Sequence, residues 1–384
     1  MKILVLSNCP LAESQGSGYV ILNFCRGLRD RGHTVDLFGP ETYELWPSLR
    51  GRANSYRQAL GMVRFVLKQL SRNAYDLIEF YGGEAWLIAS ILARWSNRSF
   101  CLVSHSNGLE PSFYNALTLY ARKGLIPNPF GKWYQLNQTQ LFKLAFTQVD
   151  GIVTVSHFDR TYALNQGYQD EHRVVAIENA LPDEYLNRSI TWERPPRIGF
   201  CGSWIARKGT HLMIADLPRL LREFPEYRLQ FIGVGDSFQP ETHFPLEVCD
   251  RIEVIPYVES KETLQQLYSN LSILMAPSLY ESFGLTIAEG MACGCAVVAG
   301  CTGFAASLRH QAEAWVLEEV CTPSLYDALK TLILNEPLRL KMAQAGYNRV
   351  QSLRWDTAID QLEQTYLTWI RDDCIRKKSS LGMA

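Results

Sequence analysis

The stretch from Ile273 to Gly300 constrains the fold of this 384-residue chain more than any other. A short apolar run ends at Pro277, a polar loop follows, and a helical pattern between Gly284 and Gly294 precedes a second apolar run. Short apolar runs joined by such a helix are typical of neighbouring buried strands in a parallel sheet. The sequence therefore predicts an α/β fold.

Two carboxylates lie in this stretch: Glu281 in the loop after the first strand, and Glu289 in the second turn of the helix. Ligands of open parallel sheets bind outside the carboxyl ends of the strands. The first N–H groups of the helix, at Gly284, Leu285 and Thr286, have no partner inside the helix and favour an anion. This pattern fits a sugar phosphate or a nucleotide. The alternative is a helix with an early acid and no ligand, which two glutamates at this spacing would favour if they stood alone.

Composition excludes several classes of function. The hydrophobic content of 47% and charged content of 20% are ordinary for a soluble protein, and a net charge of -1 lacks the basic excess of nucleic-acid binders. The ten cysteines are scattered, and no spacing resembles a zinc site, which indicates buried thiols in a reducing compartment. The first residues enter a strand at once, and no apolar run approaches the length of a membrane span. We expect a cytoplasmic protein without nucleic-acid partners.

The amino-terminal part begins with a βαβ pattern. An apolar strand at 3–6 precedes a loop and a helix from about Tyr19 to Arg31. Gly16 and Gly18 in that loop would let a ligand approach the backbone, as in dinucleotide sites. Only two glycines are present and no acid ends the second strand, which disfavours a nicotinamide cofactor. A tight turn without a ligand is the alternative.

His105 directly follows a strand predicted at 100–104. At the carboxyl end of a parallel strand it would face the crevice between domains and suit a hydrogen bond to a sugar or a leaving phosphate. A histidine that caps a loop is the equal alternative. The aromatic stretch 113–148 is interpreted as an insertion that shapes an acceptor pocket.

The βαβ pattern restarts after a polar linker at 187–196. A strand at 197–201 leads into a loop that ends Arg207-Lys208-Gly209. Two cations beside glycines suit a diphosphate, whose negative charge grows as it leaves. A solvated turn is the alternative for either cation alone.

A helical segment at 50–72 carries a basic stripe of Arg57, Arg64, Lys68 and Arg72. Such a stripe can rest on anionic lipid. More often it is the solvated face of a surface helix, which is the interpretation we favour.

Taken together, these residues resemble the retaining glycosyltransferases of family 4. The resemblance covers nearly the whole chain and rests on three motifs: Glu281-(seven residues)-Glu289, Arg207-Lys208-Gly209, and Gly16-Ser17-Gly18 with Arg31-Gly32-His33. It implies the GT-B fold, with two Rossmann-like domains facing each other across a cleft. The implied division is an acceptor-binding domain at 1–186, a nucleotide-sugar-binding domain at 197–358, and a closing helix at 359–376 that crosses back to the first domain.

The resemblance also implies a role for each site residue. Glu281 would contact hydroxyls of the transferred sugar, Arg207 and Lys208 would bind the diphosphate, and His105 would lean on the donor sugar. Glu289 would hold the ribose. The implied substrate-binding set is Gly16, Gly18, Gly202, Ser203, Gly233, Tyr257, Val258, Ser282, Phe283, Gly284, Leu285, Thr286 and Glu289.

The implied function is metal-independent, retaining transfer of a hexose from a nucleotide-sugar of unknown base to a glycan or lipid-linked acceptor, with no further cofactor. It would belong to polysaccharide or glycolipid biosynthesis, at or near the inner face of the membrane if the membrane is contacted peripherally. A sugar-nucleotide epimerase of the same fold and an inactive GT-B partner protein are the alternatives. The chain departs from the family pattern at Ser203, where many relatives have arginine, at Ala180, and at Phe304, where an acid often follows the glycines.

Overall fold

The computed structural model describes residues 1–13, 16–46, 54–95, 98–127 and 132–381. The chain divides into two compact units, each with one sheet. Unit 1 comprises Met1–Tyr114, Phe130–Asn179 and Trp355–Ala384, and unit 2 comprises Asn115–Pro129 and Ala180–Arg354. The boundary therefore falls after residue 179, a few residues before the predicted linker at 187–196, and the closing helix belongs to unit 1.

The sheet of unit 1 has six strands, all paired in parallel, in the order β2-β1-β3-β4-β5-β6. Its strands are β1 (Lys2–Leu6), β2 (Thr34–Phe38), β3 (Leu77–Tyr81), β4 (Cys101–Ser106), β5 (Gly151–Thr154) and β6 (Val174–Ala176). Every residue of β3, β4 and β5 is buried, because helices cover both faces of such a sheet.

The sheet of unit 2 also has six parallel strands, in the order β12-β11-β10-β7-β8-β9. Its strands are β7 (Arg197–Cys201), β8 (Arg228–Ile232), β9 (Ile252–Ile255), β10 (Ile273–Ala276), β11 (Ala296–Gly300) and β12 (Trp315–Leu317). The strands β10 and β11 are completely buried, as the two apolar runs of the sequence indicate.

The helices alternate with the strands, which confirms the predicted α/β class. In chain order they are α1 (Gly16–Asp30), α2 (Pro40–Tyr43), α3 (Asn54–Leu70), α4 (Trp86–Ala93), α5 (Glu110–Arg122), α6 (Lys132–Thr147), α7 (His157–Asn165), α8 (Thr210–Glu223), α9 (Leu246–Cys249), α10 (Lys261–Ser269), α11 (Leu285–Ala292), α12 (Ser324–Leu334), α13 (Glu336–Val350) and α14 (Trp355–Leu381). Within the described segments, no helix combines the length and the hydropathy of a membrane span.

Strand order reverses once in each sheet, between β1 and β3 in unit 1 and between β7 and β10 in unit 2. Open α/β sheets bind their ligands outside the carboxyl ends of the strands at such a switch point. In unit 2, the loops that leave β7 and β10 are the ones that carry the predicted cations and Glu281. The fold therefore brings two motifs that are about 70 residues apart to one edge of the sheet.

Some predicted elements differ from the observed ones. The closing helix runs from Trp355 to Leu381, so it is longer at both ends than the predicted 359–376. Helix α3 begins at Asn54, and the start predicted at residue 50 lies outside the described residues. The aromatic stretch 113–148 forms most of α5 and α6, and its residues 128–131 also lie outside the described residues.

The basic stripe predicted on α3 is wrong at Arg57. This side chain is buried, and its guanidinium donates to a Glu44 carboxylate oxygen over 2.6 Å and to the Trp46 carbonyl over 2.7 Å. A spacing pattern does not reveal such a partner, because the partner comes from a different part of the chain.

Candidate active site

The loops after β7 and β10 are built against each other. Gly209 has a φ of +77°, and a Cβ there would lie 2.0 Å from the Pro277 carbonyl oxygen, so only glycine fits. The N–H of Leu279 donates to the carbonyl of Arg207 over 2.8 Å. These contacts hold the two cations beside the loop that contains Glu281.

Glu281 is the centre of a charged cluster in unit 2. Lys208 Nζ donates to its Oε1 over 2.5 Å, and an Arg207 guanidinium nitrogen lies 3.8 Å from its Oε2. Ser278 Oγ donates to Oε1 over 2.7 Å. The side chains of Lys208 and Glu281 are only 14% and 11% exposed. The cluster contains two cations and one carboxylate, and it therefore retains one excess positive charge for an anionic ligand.

The start of α11 adjoins this cluster. Gly284 precedes the helix with a φ of +94° and a ψ of 61°, a left-handed conformation that favours glycine. A Cβ on Gly284 would lie 3.6 Å from the Glu281 side chain. The helix begins at Leu285, so the N–H groups around Leu285 and Thr286 have no carbonyl within the helix to bind. The positive end of the helix dipole adds to the charge of the two cations.

The backbone of the Glu281 loop is fixed by the chain that follows β11. Thr302 Oγ1 accepts from the Glu281 N–H over 3.0 Å and donates to the Glu281 carbonyl over 3.1 Å. The Phe283 ring is buried and packs on Phe304, with ring centroids 5.1 Å apart. The predicted ligand contact at Phe283 would therefore be made by its backbone, whereas the neighbouring Ser282 is partly exposed.

Glu289 lies on α11 in a mostly buried environment. Tyr268 donates its hydroxyl to Glu289 Oε2 over 3.3 Å, and burial raises the pKa of Glu289 to about 7. The tyrosine hydroxyl also faces Cys201, the last residue of β7. Glu289 is therefore close to the carboxyl end of β7, the strand that leads into the cation loop.

The remaining predicted residues of unit 2 lie in the loops that follow β7, β8 and β9, which are neighbouring strands of the sheet. Gly202 and Gly233 have φ values of +138° and +74°, and Gly202 N–H donates to the end of β8. Gly233 N–H donates to the end of β9, after which Tyr257 is 65% exposed and Val258 is partly buried. Ser203 is exposed beside the cation loop.

In unit 1, the interpretation of His105 as a loop residue is wrong. His105 is the fifth residue of β4, and its side chain is completely buried. Its Nδ1 lies 2.7 Å from a Glu79 carboxylate oxygen. Prediction ended the strand two residues too early because the polar run that begins at His105 suggested a loop.

Gly16 and Gly18 lie in the first turn of α1 rather than in a loop. A Cβ on Gly18 would lie 2.6 Å from the Pro10 carbonyl oxygen and 2.7 Å from that of Ala12. The close approach of this protein segment explains the glycine at position 18 without a ligand. The roles of Gly16 and Gly18 in substrate binding remain predictions.

A polar group that was not predicted from the sequence lies at the switch point of unit 1. Asn8, after β1, donates to Glu84, after β3, over 3.0 Å, and the Gly83 N–H donates to Glu110 over 2.9 Å. Burial raises the pKa of Glu110 to about 8, and the nearby Glu84, whose own pKa is also raised by burial, adds to that shift. The available signal was Gly82-Gly83-Glu84 directly after an apolar strand.

The overall fold is similar to that of solved glycosyltransferases. Sucrose-phosphate synthase from Thermosynechococcus elongatus matches with a TM-score of 0.74 at 16% identity, over 97% of this chain and 100% of that chain. Anabaena HepE in complex with UDP-glucose matches with a TM-score of 0.66 at 16% identity, over 96% and 100%. The likeness shows that the chain has the GT-B fold.

Two family models match the chain. Glycosyltransferase Family 4 matches residues 14–185, and Glycosyl transferases group 1 matches residues 195–335. The two matches together cover most of both units. The chain belongs to the family 4, group 1 glycosyltransferases.

The relatives differ in how much of their length is matched. D-inositol 3-phosphate glycosyltransferase from Segniliparus rotundus is 28% identical over 45% of this chain and 40% of its own. The chain thus spans less than half the length of the curated relatives it matches first. Phosphatidyl-myo-inositol mannosyltransferase from Mycobacterium tuberculosis is 22% identical over 94% of this chain and 95% of its own.

Proposed function

We propose that the chain transfers a hexose from a nucleotide-sugar to a glycan or lipid-linked acceptor, with retention of anomeric configuration and without a metal ion. The observation that carries this proposal is the convergence of Arg207, Lys208 and Glu281 at the start of α11. This arrangement offers positive charge for a diphosphate and a carboxylate for sugar hydroxyls at one edge of a sheet.

The charges suit cleavage of a glycosyl phosphate bond. Positive charge develops on the anomeric carbon and negative charge on the leaving diphosphate. Lys208, Arg207 and the N–H groups at the start of α11 would stabilise the leaving group. Glu281 holds Lys208 in place through their 2.5 Å contact and would orient the sugar through its hydroxyls.

The donor would lie along the carboxyl edge of the unit 2 sheet. Glu289 would accept from the ribose hydroxyls, and the loop at Tyr257 and Val258 would receive the base. Anabaena HepE, which shares the fold, is described in complex with UDP-glucose, and this supports a nucleotide-sugar as the class of donor.

The acceptor would bind at the switch point of unit 1, where Asn8, Glu84 and Glu110 offer partners for a polyol. Within the described residues, both amide atoms of Asn107 are buried without a hydrogen-bond partner. The name of the Mycobacterium tuberculosis relative, a phosphatidyl-myo-inositol mannosyltransferase, supports a lipid-linked polyol as one acceptor class.

Peripheral contact with the inner face of a membrane is part of this proposal. The exposed face of α3 carries Tyr56, Leu60 and Leu67 together with Arg64 and Lys68. Apolar and basic side chains on one helix face suit an anionic lipid surface. Sedimentation with vesicles of anionic and of neutral lipid tests this part separately, and equal binding to both would contradict it.

Nucleotide release from UDP-, GDP- and ADP-sugars, with and without glycan or lipid acceptors, tests the central proposal. We expect one donor to be consumed only when an acceptor is present, with activity unchanged by EDTA and with a product of the donor's anomeric configuration by NMR. Epimerisation of the donor without release of its nucleotide would favour the epimerase. Binding without reaction across the panel would favour the inactive partner protein.

A further inference from the structure

Four polar side chains form a buried network in the core of unit 1. Glu79 and Tyr81 lie on β3, His105 lies on β4, and Tyr366 lies on the closing helix α14. Each is no more than 1% exposed. Glu79 and Tyr81 are two residues apart, and Tyr81 is in register with His105, so these three side chains share one face of the sheet. Burying polar groups in an apolar core costs free energy, so a buried polar network indicates a structural or functional role.

The network determines which nitrogen of His105 donates. Glu79 Oε1 accepts from the Tyr366 hydroxyl over 2.6 Å and lies 2.7 Å from His105 Nδ1. A carboxylate can only accept, so the proton of the imidazole is on Nδ1. The Tyr81 hydroxyl lies 2.9 Å from the same nitrogen, and its ring stacks on the imidazole with centroids 4.7 Å apart. These contacts therefore fix both the orientation of the imidazole ring and its tautomer.

The other nitrogen of His105 lacks a partner. Within the described residues, Nε2 is buried and makes no hydrogen bond. A buried acceptor without a partner is costly, and native structures rarely leave one. The partner is therefore expected to come from a ligand, and a bare imidazole nitrogen accepts from a hydroxyl.

We propose that Glu79 is a positioning residue, which holds His105 in the Nδ1-protonated tautomer and leaves Nε2 to accept from a substrate hydroxyl. Tyr366 acts with it by binding the same carboxylate oxygen, and it makes the closing helix a functional part of the site. This inference rests on the proposed sugar transfer for the identity of the ligand, whereas the tautomer itself is a property of the free protein.

Three variants and one spectroscopic measurement test the inference. Glu79→Gln presents both a donor and an acceptor to Nδ1 and no longer fixes the tautomer, so we expect kcat to fall on the order of tenfold or more, with a smaller change in the donor KM. Tyr366→Phe, which keeps the ring, should lower kcat several-fold. Tyr43→Phe is the matched control, because it removes a buried hydroxyl that binds the Ser7 carbonyl elsewhere in unit 1, and it should keep wild-type turnover.

The side-chain ¹⁵N shifts of His105 separate a positioning role from a structural one. We expect a protonated Nδ1 and a bare Nε2 in the wild type, and a changed tautomer population in Glu79→Gln. A wild-type protein with its proton on Nε2 would overturn the inference. A folded Glu79→Gln variant with wild-type kcat and an unchanged tautomer would also overturn it, even if its melting temperature fell. If the wild type uses no nucleotide-sugar, the proposed function fails, and the ¹⁵N shifts still decide whether Glu79 positions the imidazole.

Discussion

The two units use the carboxyl ends of similar parallel sheets in different ways. In unit 2, the charged groups Arg207, Lys208 and Glu281 are on loops that follow the strands, and the two loops are bonded to each other. In unit 1, Glu79 and His105 are inside the strands and completely buried. Charged side chains on loops can contact a charged ligand, whereas buried side chains on strands mainly hold one another in position. We therefore expect variants of the charged loop residues in unit 2 to act mainly on chemistry and donor binding, and variants of buried polar groups in either unit to act also on stability.

The largest expected effect is that of Lys208→Ala. Removal of the cation at 2.5 Å from Glu281 should lower kcat about 100- to 1000-fold, because a group that stabilises leaving-group charge is worth that much. Steady-state nucleotide release measures it, and circular dichroism checks the fold. The control is Arg222→Ala, which removes an exposed ion pair with Glu247 in the same unit and should leave turnover unchanged. Near-wild-type turnover in Lys208→Ala would contradict the claim that the charged loop residues of unit 2 act on chemistry.

Glu289→Gln should weaken binding of the nucleotide-sugar donor and should stabilise the fold at high pH. Burial raises the pKa of Glu289 from 4.5 to about 7, so the folded chain disfavours the ionised form. Its stabilising contribution is complete below pH 4.5 and is lost as the pH rises through 7, and glutamine removes that loss. At pH 8.5 the variant should gain about 1–3 kcal/mol in unfolding free energy. The donor KM should rise about tenfold, because glutamine is a weaker partner for ribose hydroxyls than a carboxylate.

Denaturant unfolding at pH 5 and pH 8.5, with donor titrations, measures both effects of Glu289→Gln. Glu241→Gln is the matched control, since Glu241 is exposed on the same unit. A donor KM equal to that of the wild type would remove Glu289 from the proposed ribose site. A stability difference that does not grow with pH would contradict the buried carboxylate.

Glu110→Gln tests the buried acids of unit 1 in the same way. The pKa of Glu110 is raised to about 8 by burial and then by the charge of Glu84, so wild-type stability should fall as the pH rises through 8. Glutamine should reduce that fall by about 1–1.5 kcal/mol between pH 7 and pH 9.5. Thermal unfolding across this range measures it, and equal pH dependence in both proteins would show that Glu110 ionises freely.

The fold and the site follow most directly from the sequence where functional side chains and helix or strand spacing coincide. The strands β7 and β10, the loop glycines and the charged loop residues of unit 2 were predicted within a residue, because local patterns determine each of them. The Glu79 network was not predicted, since its members come from β3, β4 and α14 and meet only through tertiary packing. A carboxylate in the middle of the apolar run Leu77–Tyr81 was the one signal that could have indicated it.

The smallest expected effect is that of a change at Thr302. It tests whether the candidate site of unit 2 depends on loops whose backbone is held in place by hydrogen bonds. Thr302→Val keeps the shape of the side chain and removes both hydrogen bonds to the Glu281 backbone. We expect stability to fall by about 1–2 kcal/mol and kcat by a few-fold, because Glu281 and Lys208 would be less firmly placed. Thr331→Val, which removes an exposed hydroxyl bonded to the Asp327 carbonyl on α12, should change neither quantity. A Thr302→Val variant that loses stability but keeps full kcat would mean that the side-chain contacts of Glu281 with Lys208, Arg207 and Ser278 are enough to hold it in position.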